Sequence, residues 1–122
     1  MNKEKWIKIS EKAEPRVNLE GRHVVYPLVS VPGEEGFSLA MIILNGLNDQ
    51  VKHRTAKAEY EIVAGWGRFT VWDGGCPRTR EVELGDTVTI PAGTPYRDEG
   101  VGLVMIAMNH PAFDSEDVVI LD

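Results

Sequence analysis

Short apolar stretches alternate with turn residues along most of the chain. Between Lys57 and Ile62, alanine, tyrosine and isoleucine occupy every second position, and lysine and glutamate occupy the positions between them. Such a period of two residues is typical of a β-strand with one buried face. No segment sustains the 3.6-residue apolar period of a helix, so we expect less than about a tenth of the chain to be α-helical. Strands are predicted at His23–Val29, Phe37–Leu44, Ala58–Ala64, Arg68–Trp72, Arg80–Leu84, Thr87–Ile90 and Gly102–Met108, with shorter ones at Trp6–Ile9 and Val118–Leu121.

Glycine and proline mark the turns between the predicted strands, as in Asp73-Gly74-Gly75. Glycine supplies positive φ angles, and proline presets φ at the first position of a turn. Regularly spaced short strands with such turns indicate a β-sandwich or barrel. The length of 122 residues fits one domain. We therefore predict a single all-β domain over residues 1–122, with a core barrel at about 23–110, a polar N-terminal segment at 1–22 and a tail at 111–122.

The chain carries a net charge of −6 and has a pI of about 5.0. Nucleic-acid binding usually needs a basic face, so neither nucleic acid nor an anionic membrane is an expected partner. The single cysteine, Cys76, cannot form an internal disulfide bond, and its sequence neighbours offer no histidine to activate the thiol. The N-terminus lacks the apolar core of a signal peptide, and the apolar runs are far shorter than the ~20 residues of a membrane span. The expected location is the cytoplasm.

Two segments, Gly46–Gly65 and Gly85–Tyr96, carry a family resemblance. They resemble the two motifs of the cupins, G-x5-H-x-H-x3-E-x6-G and G-x5-P-x-G-x2-H-x3-N. The second segment is the stronger match, because Pro91 and Gly93 fall at the family spacing after its first glycine. The resemblance covers roughly residues 37–108 and implies a double-stranded β-helix, the jelly-roll barrel of that family.

The residues that hold the metal in cupins are replaced in this chain. In the register set by the glycines of the two motifs, the resemblance places Lys52 and Arg54 at the two histidines, Ala58 at the glutamate and Tyr96 at the last histidine. Protonated lysine and arginine have no lone pair to donate, and alanine has no donor atom. The resemblance therefore implies no metal site, and we expect no cofactor.

A register shifted by one residue is the alternative. It places His53 and Glu59 at ligand positions and recovers two of the four ligands. Strand alternation argues against this register, because Ala58 shares the apolar face with Tyr60 while Glu59 lies on the polar face. A β-bulge could reverse these sides. A partial metal site around His53 and Glu59 therefore remains the alternative to a metal-free barrel.

The replaced positions suggest a site for an anion instead. An arginine fork matches two oxygens of a carboxylate or phosphate, and we predict that Arg54 and Tyr96 face a common cavity with Lys52 nearby. Tyr96 would act as a general acid or base, with Arg54 and Lys52 stabilising developing negative charge. The simpler interpretation is that both cations extend to water from a rim loop. Further ligand contacts are predicted for Tyr60, Ile62, Trp72 and Arg97.

Two functions fit these residues. The first is a metal-independent isomerase, epimerase, cyclase or lyase that acts on a small anionic molecule, and the second is a ligand-binding or sensor protein without chemistry. The sequence alone does not separate them. We also expect a homodimer, because an unpaired sheet edge is otherwise a liability. Trp6, Val24, Tyr26 and Phe37 are the predicted contact residues.

Overall fold

The structure is a computed structural model that describes residues 14–121. Within that range no residue lies in an α-helix, and no helix is long and apolar enough to cross a membrane. The predicted all-β class is confirmed. The described residues contain nine strands: β1 Arg16–Asn18, β2 His23–Val31, β3 Phe37–Leu47, β4 Val51–His53, β5 Lys57–Asp73, β6 Cys76–Val82, β7 Thr87–Ile90, β8 Tyr96–His110 and β9 Val118–Ile120.

Most predicted strands are present, and several are longer than predicted. The strand β5 joins two predicted strands into one of 17 residues, and β8 begins at Tyr96 rather than at Gly102. The strands β1 and β4 were not predicted, because three residues are too few to show an alternation. The strand predicted at Trp6–Ile9 lies outside the described residues.

The long strand β8 organises the barrel. One edge of β8 pairs with β3 and, at its first residue, with β4, while its other edge pairs with β5 over almost its whole length. The strands β6 and β7 both pair with β5, and β4 also pairs with β9. Every pairing is antiparallel, and the single sheet curls so that one face of each long strand lines the interior.

The core follows the predicted alternation. Val25, Ile42, Met105 and Ile62 lie directly opposite one another across four neighbouring strands, and all four are buried. Each fully buried side chain of this size stabilises the fold by about 1.5–3 kcal/mol relative to leaving it exposed. Ala58 also points inward, as predicted from the sequence.

The turn between β4 and β5 decides which side chains enter the barrel. The carboxylate of Asp117 accepts hydrogen bonds from the Thr55 backbone N–H at 2.9 Å, the Thr55 hydroxyl at 2.7 Å and the Ala56 N–H at 3.1 Å. These bonds hold the chain out of the sheet between the two strands. The turn interrupts the period of two, so His53 and Ala58 both face inward although they are five positions apart.

Two irregularities flank the middle of β8. The β3–β8 register shifts between Leu44 and Gly46, and the β5–β8 register shifts between Ile62 and Trp66. Gly65 lies in this second bulge with a φ of 81°, and a Cβ built on it would be 1.9 Å from the Gly102 carbonyl oxygen. Both bulges lie at the same level of the barrel, where they redirect the side chains around them.

Candidate functional site

Three titratable side chains form a hydrogen-bonded chain inside the barrel. His53 Nε2 lies 3.0 Å from the Tyr96 hydroxyl, and the Tyr96 hydroxyl is also hydrogen-bonded to the Tyr60 hydroxyl. All three residues are almost completely buried, with exposed fractions of 6%, 3% and 5% for His53, Tyr96 and Tyr60. This chain is the most concentrated set of acid–base groups in the described part of the protein.

The sheet register brings these residues together. Tyr96 is the first residue of β8, and it pairs with Val51 of β4 on one side and with Val71 of β5 on the other. His53 follows Val51 by two residues, so it points to the same side of β4 as Val51. Tyr60 lies further along β5 on the inward face. The chain is therefore built from three strands, of which β4 and β5 follow one another in sequence and β8 comes much later.

The hydrogen bonds allow two proton arrangements. If the neutral imidazole carries its proton on Nδ1, Tyr96 donates to His53 Nε2 and Tyr60 donates to Tyr96. If the proton is on Nε2, His53 donates to Tyr96 and Tyr96 donates to Tyr60. When one arrangement converts into the other, each proton moves to the next group, so that the net effect is the passage of one proton along the whole chain. Such a chain can act as a proton relay.

Burial controls the charges of this chain. It lowers the pKa of His53, and the Asp117 carboxylate opposes part of that effect. Burial, and then the negative charge of Asp98, raise the pKa of Tyr60. The pKa of Tyr96 is also raised, first by burial and then by its tyrosine and aspartate neighbours. At neutral pH the imidazole is therefore uncharged, and both phenols keep their protons.

A buried carboxyl group lies close to the tyrosines. Asp98 Oδ1 accepts a hydrogen bond of 2.8 Å from Asn48 Nδ2. Burial raises the pKa of Asp98, although the Asn48 hydrogen bond and the charge of His23 oppose it. Burial likewise lowers the pKa of His23, with Asp98 acting in the opposite direction. The interior of the barrel is thus more polar than the apolar pattern of the sequence suggests.

A pocket of about 440 Å³ opens on the inner side of the β5–β6 hairpin. Phe69 forms part of its floor, and its ring centroid lies 5.3 Å from that of Tyr60 and 6.4 Å from that of Tyr96. One aromatic ring therefore separates the pocket from the relay. We call this the arginine pocket; it is lined by Phe69, Val71, Asp73, Arg78, Arg80, Glu81, Val82, Asp86, Thr87, Val88 and Thr89.

Two arginines give the pocket its charge. Arg80 pairs with Phe69 across the hairpin and Arg78 pairs with Val71, so both arginines lie on the same face of the hairpin as the apolar floor, where both remain exposed. Neither forms a salt bridge or side-chain hydrogen bond with another described residue. Three carboxylates also border the pocket: Glu81 pairs with Arg68 on the opposite face, Asp86 accepts from the Glu83 N–H, and Asp73 lies on the same face as Val71 next to the hairpin turn. The two guanidinium groups are therefore available to an anion.

The predicted cavity shared by Arg54 and Tyr96 is not formed, and this placement was wrong. Tyr96 is inside the barrel, whereas Arg54 is exposed beyond the end of β4. Lys52 lies between Val51 and His53 and so points to the other side of the strand. His53, which the shifted register places at a ligand position, is buried inside the barrel, but Glu59 faces outward and forms a salt bridge with Lys57 at 3.2 Å.

The other predicted ligand contacts divide between the two faces of the sheet. Tyr60 and Ile62 are buried inside the barrel. Arg97 and Trp72 each follow an inward-facing residue directly, so they lie on the outer face, where Arg97 pairs with Thr70. Neither lines the arginine pocket.

Asp98, Arg78 and Arg80 were missed by the sequence reasoning. Asp98 lies two positions after Tyr96 and therefore on the same face, which is a signal that strand alternation could have used. The position of Arg78 and Arg80 on the pocket face of the hairpin had no comparable signal. A charged strand residue is far more often solvated than directed into a pocket.

The residues inside the barrel do not fit a metal site of the three-histidine, one-glutamate type. Ala58 has no donor atom, and the Tyr96 hydroxyl is already engaged by two hydrogen bonds. His53 is then the one imidazole at this point, which is fewer than a three- or four-ligand site requires. In residues 14–121 no group of three or more His, Cys, Asp or Glu side chains is arranged to hold a metal ion.

Comparisons with known proteins give a fold. No family model matches the chain. An uncharacterized protein of Methanocaldococcus jannaschii, MJ1618, is 26% identical over 118 residues, which covers 92% of this chain and 91% of that protein. Streptomyces PAC13 with uridine superposes with a TM-score of 0.72 and 17% identity, covering 93% of this chain and 85% of that one. Pac13 is described as a unique nucleoside dehydratase.

A second solved structure agrees in fold. Oxalate decarboxylase from Bacillus subtilis superposes with a TM-score of 0.76 and 20% identity, and it covers 93% of this chain but 33% of the larger enzyme. Both structural relatives have the cupin fold. At these identities the likeness establishes the β-barrel fold, while the chemistry has to be argued from the residues of this chain.

Proposed function

We propose that this cupin-fold chain binds a small anionic organic molecule in the arginine pocket. The observation that carries the proposal is the position of Arg78 and Arg80 over an apolar floor, without salt bridges to other described residues. A guanidinium fork matches the two oxygens of a carboxylate or phosphate. The pocket volume of about 440 Å³ also lies within the range of small-molecule sites.

The relatives of the same fold are associated with molecules of this size. Solved structures of Streptomyces PAC13 contain uridine, and oxalate decarboxylase is named for a small dicarboxylate. An organic acid, or a sugar or nucleoside that carries a phosphate, would place its anionic group between the arginines. Its apolar or ring portion would then contact Phe69.

The test is calorimetric titration with oxalate, malonate, glucuronate and uridine 5′-monophosphate. Arg80→Gln and Arg78→Gln each remove one charged hydrogen bond, which is worth about 1.5–3 kcal/mol. We expect each variant to weaken the best ligand by about tenfold or more. Arg54→Gln is the matched control, because it removes the same charge from an exposed position outside the pocket. If Arg54→Gln weakened binding as much as Arg80→Gln, the pocket would be the wrong site.

A second candidate function, metal-independent proton-transfer catalysis, is favoured by the buried chain of His53, Tyr96 and Tyr60. Isomerases, epimerases and lyases move a proton from carbon while negative charge develops nearby. The structures of PAC13 with uridine include one histidine-to-glutamine variant and two tyrosine-to-phenylalanine variants. The interior chain of this protein uses the same two residue types.

The proposed step uses the relay in one direction. The step requires the Phe69 ring to turn aside so that the ligand reaches the buried Tyr60 hydroxyl. Tyr60 then takes the proton from the ligand while its own proton passes to Tyr96, and the Tyr96 proton passes to His53 Nε2. The imidazole then carries the proton, and the negative charge left on the ligand lies near Arg80. The reverse transfers return the proton at another atom of the ligand. The uncharged state of His53 that burial favours is the state that this step requires.

This candidate is tested by deuterium exchange. Malonate or glucuronate, whichever binds more tightly, is incubated with the protein in D2O, and exchange at its carbon next to the carboxylate is followed by NMR, because oxalate has no C–H bond to exchange. Tyr96→Phe and His53→Gln should abolish enzyme-dependent exchange, whereas Trp72→Phe, on the outer face, should retain it. Tight binding without any exchange would support a ligand-binding or sensor protein instead.

We further propose that two copies associate through the outer face of the sheet. Val24 and Tyr26 of β2 lie on this face, and Tyr26 pairs with Met41 of β3, which in turn pairs with Ile106 of β8. These side chains are half-buried and apolar, as dimer interfaces commonly are. Phe37 begins β3 on the same face, and Trp6 lies outside the described residues.

A further inference from the structure

We infer that the outside of the barrel carries a second ligand site, which takes a neutral ring with neighbouring hydroxyl groups, such as a sugar. The site is a groove of about 450 Å³ on β5 and β8, separate from the arginine pocket. Its walls are the side chains of Asn45, Trp66, Arg68, Glu99 and Val101, and its floor includes glycine backbone. We call it the outer groove, and the argument for it does not depend on the function proposed above.

The two bulges that flank β8 build this groove. One bulge lies beside Asn45, whose side-chain oxygen accepts a hydrogen bond of 2.6 Å from the Gly102 N–H. The other lies immediately before Trp66. Bulges change the direction of side chains and are common next to functional sites. Here they place an amide and an indole on the same stretch of outer surface, on either side of β8.

Trp66 provides an aromatic surface to the groove. Its side chain is 38% exposed, although a large aromatic residue on a small barrel can usually be buried. Val101, directly opposite on β8, is 68% exposed and extends the apolar surface. The Arg68 guanidinium carbon lies over the Trp66 ring, 5.9 Å from its centroid, and leaves the opposite ring face to a ligand. The apolar C–H face of a sugar ring fits such a surface.

The polar wall of the groove favours a neutral ligand. Arg68 Nε donates to Glu99 Oε1 at 2.5 Å, and both side chains remain partly exposed. Because each charge neutralises the other, the outer groove lacks the two arginines without salt bridges that line the other pocket. A free guanidinium N–H and a carboxylate oxygen lie side by side, so one ligand hydroxyl can accept from Arg68 while its neighbour donates to Glu99. Two adjacent hydroxyls on one ring match this arrangement.

The experiment is an NMR titration of the ¹⁵N-labelled protein with glucose, galactose and cellobiose. We expect at least one of these sugars to shift the Trp66 indole N–H and the Val101 amide in a saturable way. Trp66→Ala should weaken that binding by about tenfold or more, as loss of a central aromatic contact does. Trp72→Ala is the matched control, since Trp72 lies elsewhere on the outer face, and it should leave the affinity unchanged.

Glu99→Gln provides a second variant that keeps the shape of the side chain. It should weaken sugar binding several-fold even if Trp66→Ala disturbs the fold. The inference is overturned if no sugar shifts these signals, if Trp72→Ala weakens binding as much as Trp66→Ala, or if the shifts lie at Phe69 and Val82. The last result would move the sugar to the arginine pocket. Failure of the anion titrations would leave the outer groove unaffected, because the spectra locate each ligand separately.

Discussion

Replacing Tyr96 with phenylalanine removes the hydroxyl that joins His53 to Tyr60. The ring remains, so stacking against Phe69 is kept and the cavity is small. Two buried polar atoms, His53 Nε2 and the Tyr60 hydroxyl oxygen, then lose their partner. A buried polar group without a partner costs about 1–3 kcal/mol. We therefore expect Tyr96→Phe to lower the free energy of unfolding by about 2–4 kcal/mol.

The assay is urea denaturation at pH 7.5, followed by tryptophan fluorescence and circular dichroism. Tyr26→Phe is the matched control, because Tyr26 lies half-buried on the outer face and belongs to no interior network. It should change the free energy of unfolding by no more than about 0.5 kcal/mol.

The double variant Tyr60→Phe/Tyr96→Phe provides a sharper test. Removing both hydroxyls leaves only His53 without a partner, so the double variant should cost less than the sum of the single variants by about 1 kcal/mol or more. The relay would be refuted as a linked network if the single effects added, or if Tyr96→Phe were as mild as Tyr26→Phe.

Four further predictions concern the turn, the pH dependence, the bulge and the outer face. Asp117→Asn weakens three hydrogen bonds to the turn before β5 and should cost about 1–2 kcal/mol in urea denaturation. Burial lowers the pKa of His53 in the folded protein, so the unfolded chain takes up the proton first as pH falls. The free energy of unfolding of the wild type should therefore decrease as pH drops below about 6.5. His53→Gln should make this decrease shallower between pH 7.5 and 5.5, as measured by urea denaturation. Gly65→Ala places a methyl group against the Gly102 carbonyl and should cost about 3 kcal/mol or more, whereas Gly74→Ala, which meets no atom within 4 Å, should cost clearly less. Ile106→Glu should convert a dimer to a monomer in light scattering, and an unchanged mass would contradict the proposed interface.

Burial of Asp117 alone would raise its pKa, but the hydrogen bonds from Thr55 and Ala56 outweigh it and hold the pKa below the usual range. The stabilisation that this carboxylate provides is therefore present at neutral pH and is lost as pH falls through its lowered pKa. The salt bridge between Lys57 and Glu59 is solvent-exposed, and it contributes little to stability compared with the Asp117 carboxylate.

The sequence by itself determined the class of the fold and the inner face of the long strands. Strand alternation depends on neighbouring residues, so the inward direction of Ala58, Tyr60 and Ile62 could be predicted, and β7 has its predicted bounds of Thr87–Ile90. Turn glycines and prolines are equally local signals, because their φ preferences hold in any context. The match of the second motif placed Tyr96 inside the barrel, because the spacing of its glycines and proline is also a local signal.

Only the tertiary structure decided which polar groups meet inside. His53 faces inward because Asp117, 62 residues after Thr55, holds the turn that interrupts the alternation. Arg78 and Arg80 line a pocket because the hairpin register sets them opposite Val71 and Phe69. The Asp117 contact joins residues that are distant along the chain, and the register of the hairpin depends on how its turn closes, so no local period records either of them. For that reason the strands could be read from the sequence, while the composition of the site could not.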